Sequence, residues 1–388
     1  MKKVVVLGAT GSVGKSALGV LARHREHFQV LGLAAGKNAS LMSELALAHR
    51  PAFIAMADAQ AAKTLRELVS PSLPGVRVLS GEEGILEVAS LDDAEIVVAA
   101  MSGQAGLLPT MESLRKKRRV LLANKEALVM AGEICLSEAR ASGAEIIPVD
   151  SEHAAIFRLL PNPFSPLSLQ GVRKIILTAS GGPFRDLPPE SLSRVSRADA
   201  LRHPTWKMGP KISIDSATMM NKAQEVIEAH FLFGASALEI SVLLHPQSLV
   251  HAMVEFFDAS LHMHGAVADM RLPIASGLFY PERWQTGDFF LDWGKIPPLE
   301  FRPVDLHRFP ALALGFRVVE NGGRGGAVLC CANEAAVEAF LEERVPFSAI
   351  VPAVEKTLEA LGNNKAGNLA EVMELAKEAR ERAEAFLA

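Results

Sequence analysis

Val4-Val5-Val6-Leu7-Gly8-Ala9-Thr10-Gly11-Ser12-Val13-Gly14 is the stretch from which the fold is read. Four apolar residues in a row make a strand buried on both faces, and glycines three apart then turn the chain and open a helix. At such a strand-to-helix turn the backbone N–H groups and the positive helix end face an anion, which suits the diphosphate of a dinucleotide. The spacing is G-x-x-G-x-x-G rather than G-x-G-x-x-G, so the string alone is less specific than its place at the head of a β-α-β unit. Gly14-Lys15-Ser16 imitates the end of a triphosphate-binding P-loop. A P-loop needs glycine where Ala9 stands and an Asp ending an apolar strand, whereas Asp92-Asp93 precede theirs. A purely structural glycine turn is the remaining alternative.

Working outward, short apolar runs alternate with helix-length segments at Val4-Leu7, Val30-Ala34, Phe53-Ala55, Val76-Leu79, Ile96-Ala99, Val120-Leu122 and Glu145-Ile147. This alternation predicts an α/β chain whose N-terminal domain, residues 1–149, is a doubly wound parallel sheet of Rossmann type. From residue 150 the pattern changes to strands at Val172-Thr178, Glu239-Leu244, Leu249-Phe257 and Ser260-His264. They mark a central α+β catalytic and dimerisation domain, 150–278, broken by a long polar loop over 181–210 that reads as a lid. Residues 279–310, rich in proline and aromatics, read as an ordered linker. Residues 311–388 read as a C-terminal helical bundle. Its last helix starts at Asn368 and carries Leu369, Val372, Met373, Ala376, Ala379, Ala383 and Phe386 on one stripe.

The chain has 388 residues, enough for two or three domains, and a formal net charge of -4, which gives no electrostatic reason to bind nucleic acid or anionic lipid. Cys135, Cys330 and Cys331 contain no C-x-x-C pair and read as reduced, buried residues of a cytoplasmic protein. The strand beginning at Val4 leaves no room for a signal-peptide core, and no apolar stretch approaches the ~20 residues that span a bilayer.

Three further groups of residues carry chemistry. The second strand ends Gly36-Lys37-Asn38, where an NAD enzyme would present an acid to the adenosine ribose; a cation there suits a 2′-phosphate and favours NADPH, unless Lys37 is only a solvated turn residue. Asp150 and Glu152 flank Ser151 after the Glu145-Val149 strand. On extended backbone residues two apart face one way, so the two acids would invite a divalent cation; the alternative is a pair of solvated acids at a helix start. Ser216, Asn221 and Lys222 offer hydroxyl, amide and ammonium donors to a phosphate monoester, and Glu225 shares the helix face of Asn221 and Lys222 as a third carboxylate. Oxygen-only ligands favour magnesium or manganese. Ser180-Gly181-Gly182 lets backbone approach an anion, or is only a hinge. Lys125 ends a strand as a candidate for the site, or as an ordinary ion-pair partner. His262 and His264 lack an acidic companion nearby and read as strand surface.

Taken in order, Gly8 to Gly14, Ala123-Asn124-Lys125-Glu126, Pro148-Val149-Asp150-Ser151-Glu152-His153, Ser180-Gly181-Gly182-Pro183-Phe184, His203-Pro204-Thr205-Trp206 and Ser213 to Lys222 resemble the 1-deoxy-D-xylulose 5-phosphate reductoisomerase family of the non-mevalonate isoprenoid pathway. The resemblance implies that Thr10, Gly11, Ser12, Val13, Gly36, Lys37, Asn38, Asn124, Glu126 and Gly209 hold NADPH, and that Asp150, Glu152 and Glu225 bind Mg2+ or Mn2+. It implies that Ser180, Ser216, Asn221 and Lys222 hold the substrate phosphate. Lys125, Ser151 and His203 would address the hydroxyl and carbonyl groups, and Trp206 would close over the sugar. The implied activity is rearrangement of a ketose phosphate to a branched aldehyde followed by reduction, in a homodimer. Two other readings are a simple NADP-dependent sugar-phosphate dehydrogenase and a non-catalytic NADPH-binding regulator. The first would leave the carbon skeleton unbranched; the second would lack the acidic cluster or Lys125, and both are present.

Overall fold

The apolar run at the N-terminus forms β1, Lys2–Leu7, and its residues divide between two cores. Val4 and Val6 belong to one, Val5 and Leu7 to the other. A strand with buried side chains on both faces requires helices on both faces, and the chain supplies them. The computed structural model describes residues 1–165, 167–202, 209–285, 289–364 and 366–388. It runs β1, α1 (Ser12–Arg23), β2 (Phe28–Ala35), α2 (Ala39–His49), β3 (Phe53–Met56), α3 (Ala59–Val69), β4 (Arg77–Ser80), α4 (Gly81–Ala89), β5 (Ile96–Ala99), α5 (Leu107–Leu114), β6 (Arg119–Leu122), α6 (Lys125–Ser142) and β7 (Glu145–Pro148). The seven strands form one sheet in the order β4-β3-β2-β1-β5-β6-β7, with parallel neighbours throughout. All seven expected strands are present, and the doubly wound reading holds. Ala17 and Leu18 of α1 cover the Val4 face, while Ile85 and Val88 of α4 cover the Val5 face.

After β7 come α7 (Ser151–Leu159), β8 (Val172–Ala179), α8 (Arg197–Ala200), α9 (Pro210–Thr218), α10 (Met220–Phe233), β9 (Ile240–Leu244), β10 (Val250–Phe256), β11 (Leu261–Gly265), α11 (Arg271–Phe279), β12 (Arg302–Pro303), α12 (Pro310–Glu320), α13 (Gly326–Leu341), α14 (Ile350–Leu361) and α15 (Leu369–Leu387). Five strands make a mixed sheet ordered β11-β10-β8-β9-β12, parallel between β8 and β9 and antiparallel elsewhere.

Several details differ from the sequence reading. The chain separates into two compact units, one of residues 1–127, 135–150 and 269–285, the other of residues 128–134, 151–268 and 286–388. The stretch 269–285 therefore groups with the parallel sheet rather than with 150–278. The cause is α11, whose Ile274, Ala275 and Leu278 join the Val4 core, and Arg119, which donates to Gly277 O at 3.2 Å and Tyr280 O at 2.7 Å. The 279–310 stretch is not wholly linker, since Arg302–Pro303 pairs with β9. The 181–210 loop is not structureless either. A 3-10 turn spans Pro189–Arg194, and α8 is nucleated by a capping box in which Ser196 and Asp199 each accept from the other's backbone N–H. In α15 Asn368 caps Glu371 N as expected and Val372, Ala376, Ala379 and Ala383 are buried. Phe386, expected on that stripe, is exposed.

Close packing of α12 on α10 depends on Gly315, where a Cβ would stand 2.5 Å from Ala223 O and 2.7 Å from Ala223 Cα. Gly19, on the solvent side of α1, has nothing within 4 Å of such a Cβ. Gly315→Ala is expected to destabilise by about 1–3 kcal/mol, despite the gain in helix propensity, because backbone must move. Gly19→Ala is expected to stabilise by about 0.5–1 kcal/mol. Denaturant midpoints of the two variants check this; equal shifts would refute the packing argument.

Candidate active site

The glycine loop is built as a close approach of backbone to backbone. Gly8 has φ +81°, and a Cβ there would lie 2.2 Å from Ala100 O, so β1 turns hard against the end of β5. At Gly14 a Cβ would meet Gly8 O at 2.2 Å, so α1 can start only where it does. Gly11 is the N-cap of α1 and offers no side chain to its first turn, which leaves those N–H groups facing outward for an anion. Gly8 and Ala9 donate to Ala34 O, both at 2.9 Å, tying the loop to the end of β2. Gly36, Lys37 and Asn38 follow that end and are exposed, and Asn38 Oδ1 caps α2 by accepting from Leu41 N at 3.0 Å.

Two neighbouring strands of the same sheet, β6 and β7, deliver Lys125 and Asp150. Their Leu122 and Pro148 are in register, and Lys125 Nζ forms an ion pair with Asp150 Oδ2. Asn124, Lys125 and Glu126 are all buried. Asn124 caps α6 by accepting from Ala127 N at 3.1 Å and donates to Gly103 O at 3.0 Å and Glu126 Oε2 at 3.2 Å.

In the other unit the charges converge on one ammonium. Lys222 Nζ lies 2.6 Å from Glu152 Oε1 and 2.5 Å from Glu225 Oε2. Asn221 Nδ2 donates to Glu225 Oε1 at 2.6 Å, and Ser151 Oγ donates to Glu152 Oε2 at 2.5 Å. The i,i+3 and i,i+4 spacing puts Asn221, Lys222 and Glu225 on one face of α10, as expected. Glu152 is not on extended backbone: it sits in the first turn of α7, so the period-two argument for Asp150 and Glu152 does not apply. Lys222 is what draws Glu152 and Glu225 to one point. Burial alone would raise the Glu152 carboxyl, but the charge and hydrogen bond of Lys222, with the Ser151 hydroxyl, override it and hold it at about 2. Burial pulls Lys222 down, and the two acids more than restore it above its usual value.

A glycine lets the turn after Ser180 pack against the backbone at Ser216. At Gly182, φ +66°, a Cβ would meet Ser216 O at 2.7 Å and Ala217 Cα at 2.9 Å. The Gly-Gly pair is thus a close-approach device, and Ser180 Oγ accepts from Gly182 N at 3.2 Å. Gly209 is the N-cap of α9, its carbonyl accepting from Ser213 N at 3.0 Å. His203 and Trp206 lie outside the described residues.

Three residues without a sequence-assigned role, His153, Glu228 and His251, surround the charge cluster. His153 is fully buried and stacked on Phe233, with Nε2 at 2.9 Å from Glu225 O and Nδ1 at 3.3 Å from Glu228 Oε2. His251 on β10 is pushed down by burial and partly restored by the charge of Glu152. His251 and Glu228 were visible only as single polar residues among apolar neighbours, and His153 only as the end of the Asp150-Ser151-Glu152-His153 string, signals too weak to assign a role without the fold.

Fold and site together define a dinucleotide-binding α/β oxidoreductase scaffold with a second unit whose helices α7 and α10 carry a carboxylate cluster beside phosphate-type donors. Comparison with known proteins agrees. The family model for 1-deoxy-D-xylulose 5-phosphate reductoisomerase matches residues 4–132, that for its C-terminal domain matches residues 146–233, and a further DXP reductoisomerase C-terminal domain matches residues 266–382. The chain belongs to the 1-deoxy-D-xylulose 5-phosphate reductoisomerase family. The enzyme of that name from Nitrosococcus oceani is 45% identical over 373 residues, covering 96% of this chain and 95% of the relative. The one from Ralstonia nicotianae is 45% identical over 388 residues, covering 100% and 98%. A crystal structure of DOX-P reductoisomerase in complex with NADPH, fosmidomycin and magnesium superposes with a TM-score of 0.95 at 36% identity, covering 100% of this chain and 98% of that one. The Zymomonas mobilis enzyme in complex with NADPH gives 0.90 at 38% identity with the same coverage.

The depressed Glu152 carboxyl has a consequence for stability. Its contribution is fully present above the ordinary carboxyl value of 4.5 and is lost as pH falls toward about 2. Thermal midpoints measured between pH 6 and pH 2.5 are expected to fall less steeply for Glu152→Gln than for the parent below pH 4.5. Identical acid limbs would show that Lys222 does not hold the carboxyl down.

Proposed function

We propose that the chain converts 1-deoxy-D-xylulose 5-phosphate to 2-C-methyl-D-erythritol 4-phosphate, using NADPH and a divalent cation. Family membership supports this, and so do the complexes that similar structures form with NADPH and magnesium. The observation that carries it is the meeting of Glu152 and Glu225 at the Lys222 ammonium, with Asn221 on the same helix face. The oxygen donors of Asp150, Glu152 and Glu225 fit magnesium or manganese. When bound, such a cation supplies Lewis acidity to the neighbouring oxygens on which charge develops during rearrangement.

The chain's own groups do the rest. Lys222 has three ammonium hydrogens, of which Glu152 and Glu225 engage two, leaving one for a phosphate oxygen beside Ser180, Ser216 and Asn221. Lys125 and Ser151, with His203, orient the hydroxyl and carbonyl groups, and Trp206 closes over the sugar and excludes water. Thr10 to Val13, Gly36, Lys37, Asn38, Asn124, Glu126 and Gly209 place NADPH, which supplies the hydride. Reduction of the branched aldehyde consumes that hydride and one proton.

In this reading residues 1–149 bind the cofactor, residues 150–268 carry metal, substrate and dimer contacts, and residues 311–388 support them. Among the described residues no helix is long and apolar enough to cross a membrane. A cytoplasmic homodimer is part of the proposal. Buried cysteines in the thiol form suit a reducing compartment, and β11 is an edge strand with Leu261 and Met263 exposed.

Carbon NMR of the product formed from the ketose phosphate, NADPH and magnesium tests the reading. A branched tetritol phosphate is expected. An unbranched product would indicate a simple dehydrogenase, and no product a non-catalytic binder.

Lys37→Ala should weaken NADPH by about tenfold or more while leaving NADH binding nearly unchanged, because only NADPH carries the 2′-phosphate. Equal losses for both nucleotides would contradict that role. Glu225→Gln keeps the shape and removes one charge, so turnover at fixed metal should fall at least about a hundredfold while NADPH still binds. Activity titrated against magnesium or manganese measures it, and an unchanged metal dependence would exclude Glu225 from the metal site.

A further inference from the structure

α9 ends at Thr218, and α10 begins at Met220, with only Met219 between them at φ +65°. A side chain in the left-handed region costs of the order of 1 kcal/mol, so the junction needs support from outside itself. The junction matters because Ser216 lies just before it and Asn221 and Lys222 just after.

Support comes from a buried carboxylate. Asp215 is 1% exposed, and its Oδ2 pairs with Lys211 Nζ at 2.8 Å one helical turn earlier. Its Oδ1 accepts from Nδ2 of Asn333 at 2.7 Å, 118 residues away on α13. The Thr218 hydroxyl shares its one proton between the carbonyls of Ile214 and Asp215, both at 3.2 Å, and its oxygen accepts from Met220 N at 3.2 Å. A continuous run of hydrogen bonds therefore leads from α13 through Asp215 and Thr218 to the first residue of α10.

This arrangement is a costly way to fill space. Asn333 is fully buried, and its Oδ1 has no hydrogen-bond partner among the described residues. Leucine has nearly the same size and would spare the desolvation of both the amide and, with a matching change, the acid. What the polar pair adds is direction, since an amide that donates to one carboxylate oxygen fixes where that carboxylate and its peptide lie. Ser216 has little room to move, because Gly182 packs where a Cβ would be 2.7 Å from Ser216 O.

We propose that Asn333 and Lys211 are positioning residues that, through Asp215, fix the α9–α10 junction so that Ser216, Asn221 and Lys222 converge on the substrate phosphate. The proposal rests on the phosphate role assigned to those three residues above.

The test is a set of variants at both ends of the pair. Asn333→Asp sets a second carboxylate against Asp215, and Asn333→Leu removes the donor without adding charge. Each is expected to raise KM for the ketose phosphate about tenfold or more, with kcat within about threefold and NADPH affinity unchanged. The swap Asp215→Asn with Asn333→Asp restores an amide–carboxylate pair in reverse and should bring KM back to within about threefold of the parent. A folded Asn333→Leu protein with parental KM overturns the proposal, whatever its thermal midpoint, and so does a folded swap variant that keeps the raised KM. If Asn333→Asp does not fold, the Leu variant decides alone. Calorimetric titration of inorganic phosphate separates this from the reaction assignment. If the parent makes no branched product yet binds phosphate, weaker binding by Asn333→Leu sustains the positioning role and equal binding overturns it. A parent that binds neither phosphate nor the sugar overturns both readings.

Discussion

The ammonium of Lys222, buried between the carboxylates of Glu152 and Glu225, is the constraint around which the second unit is organised. Each of these ions loses several kcal/mol of hydration on burial, and mutual attraction repays that only at hydrogen-bonding distance. A few tenths of an ångström of slack between α7 and α10 would therefore cost more than most packing defects. The surroundings remove the slack. His153 leaves α7 one residue after Glu152 and holds the carbonyl of Glu225 at 2.9 Å, with its ring stacked 11° from Phe233. On the other side of α10, Gly315 lets the α12 backbone press against Ala223.

The first unit solves a different problem, the close passage of backbone past backbone. Its strand order turns outward in both directions from β1, so the loops after β1 and β5 open the crevice in which α/β ligands collect. Gly8 is required there by the carbonyl of Ala100, and Gly14 by the carbonyl of Gly8. These two glycines are demanded by contacts within the protein. Gly11 is less tightly placed, a Cβ there meeting Gly8 O at 3.2 Å, and as the N-cap it brings no side chain to the first turn of α1, where an anion would sit.

Much of this was legible in the chain. The strands of the parallel sheet could be read because burial on both faces leaves an uninterrupted apolar run, such as Val4 to Leu7. The face shared by Asn221, Lys222 and Glu225 was legible because helical spacing is local. Other features depend on distant partners. The grouping of α11 with the parallel sheet follows from Ile274 and Leu278 joining the core that holds Val4 and Val6, which no local pattern announces. β12 is two residues long, one of them Pro303, and exists only because β9 is beside it. The apolar run ending at Val149 suggests extended backbone through Glu152, because nothing in its periodicity marks where the strand stops. Helix actually begins at Ser151, where a small hydroxyl residue and an acid start the first turn. The α8 capping box was present as Ser196 to Asp199 but lacked the usual Glu or Gln at its third position.

α13 shows why the helical C-terminal region bears on chemistry carried by other segments. From Gly326 to Phe340 it is buried nearly all round, the mark of a helix that must lie at the centre of a bundle. Amphipathic α14 and α15 cover it, with Val354 and Leu358 on the one and Val372 and Ala376 on the other turned inward. Glu338 is the one exposed residue of that stretch, so a polar residue elsewhere on the helix is kept only at a cost. Asn333 is nonetheless fully buried there and bonded to Asp215, which stands one residue before Ser216. Rigidity gained from apolar burial over the whole bundle is in this way delivered to a single carboxylate. Covering helices that only shielded the site from water would have no use for that amide.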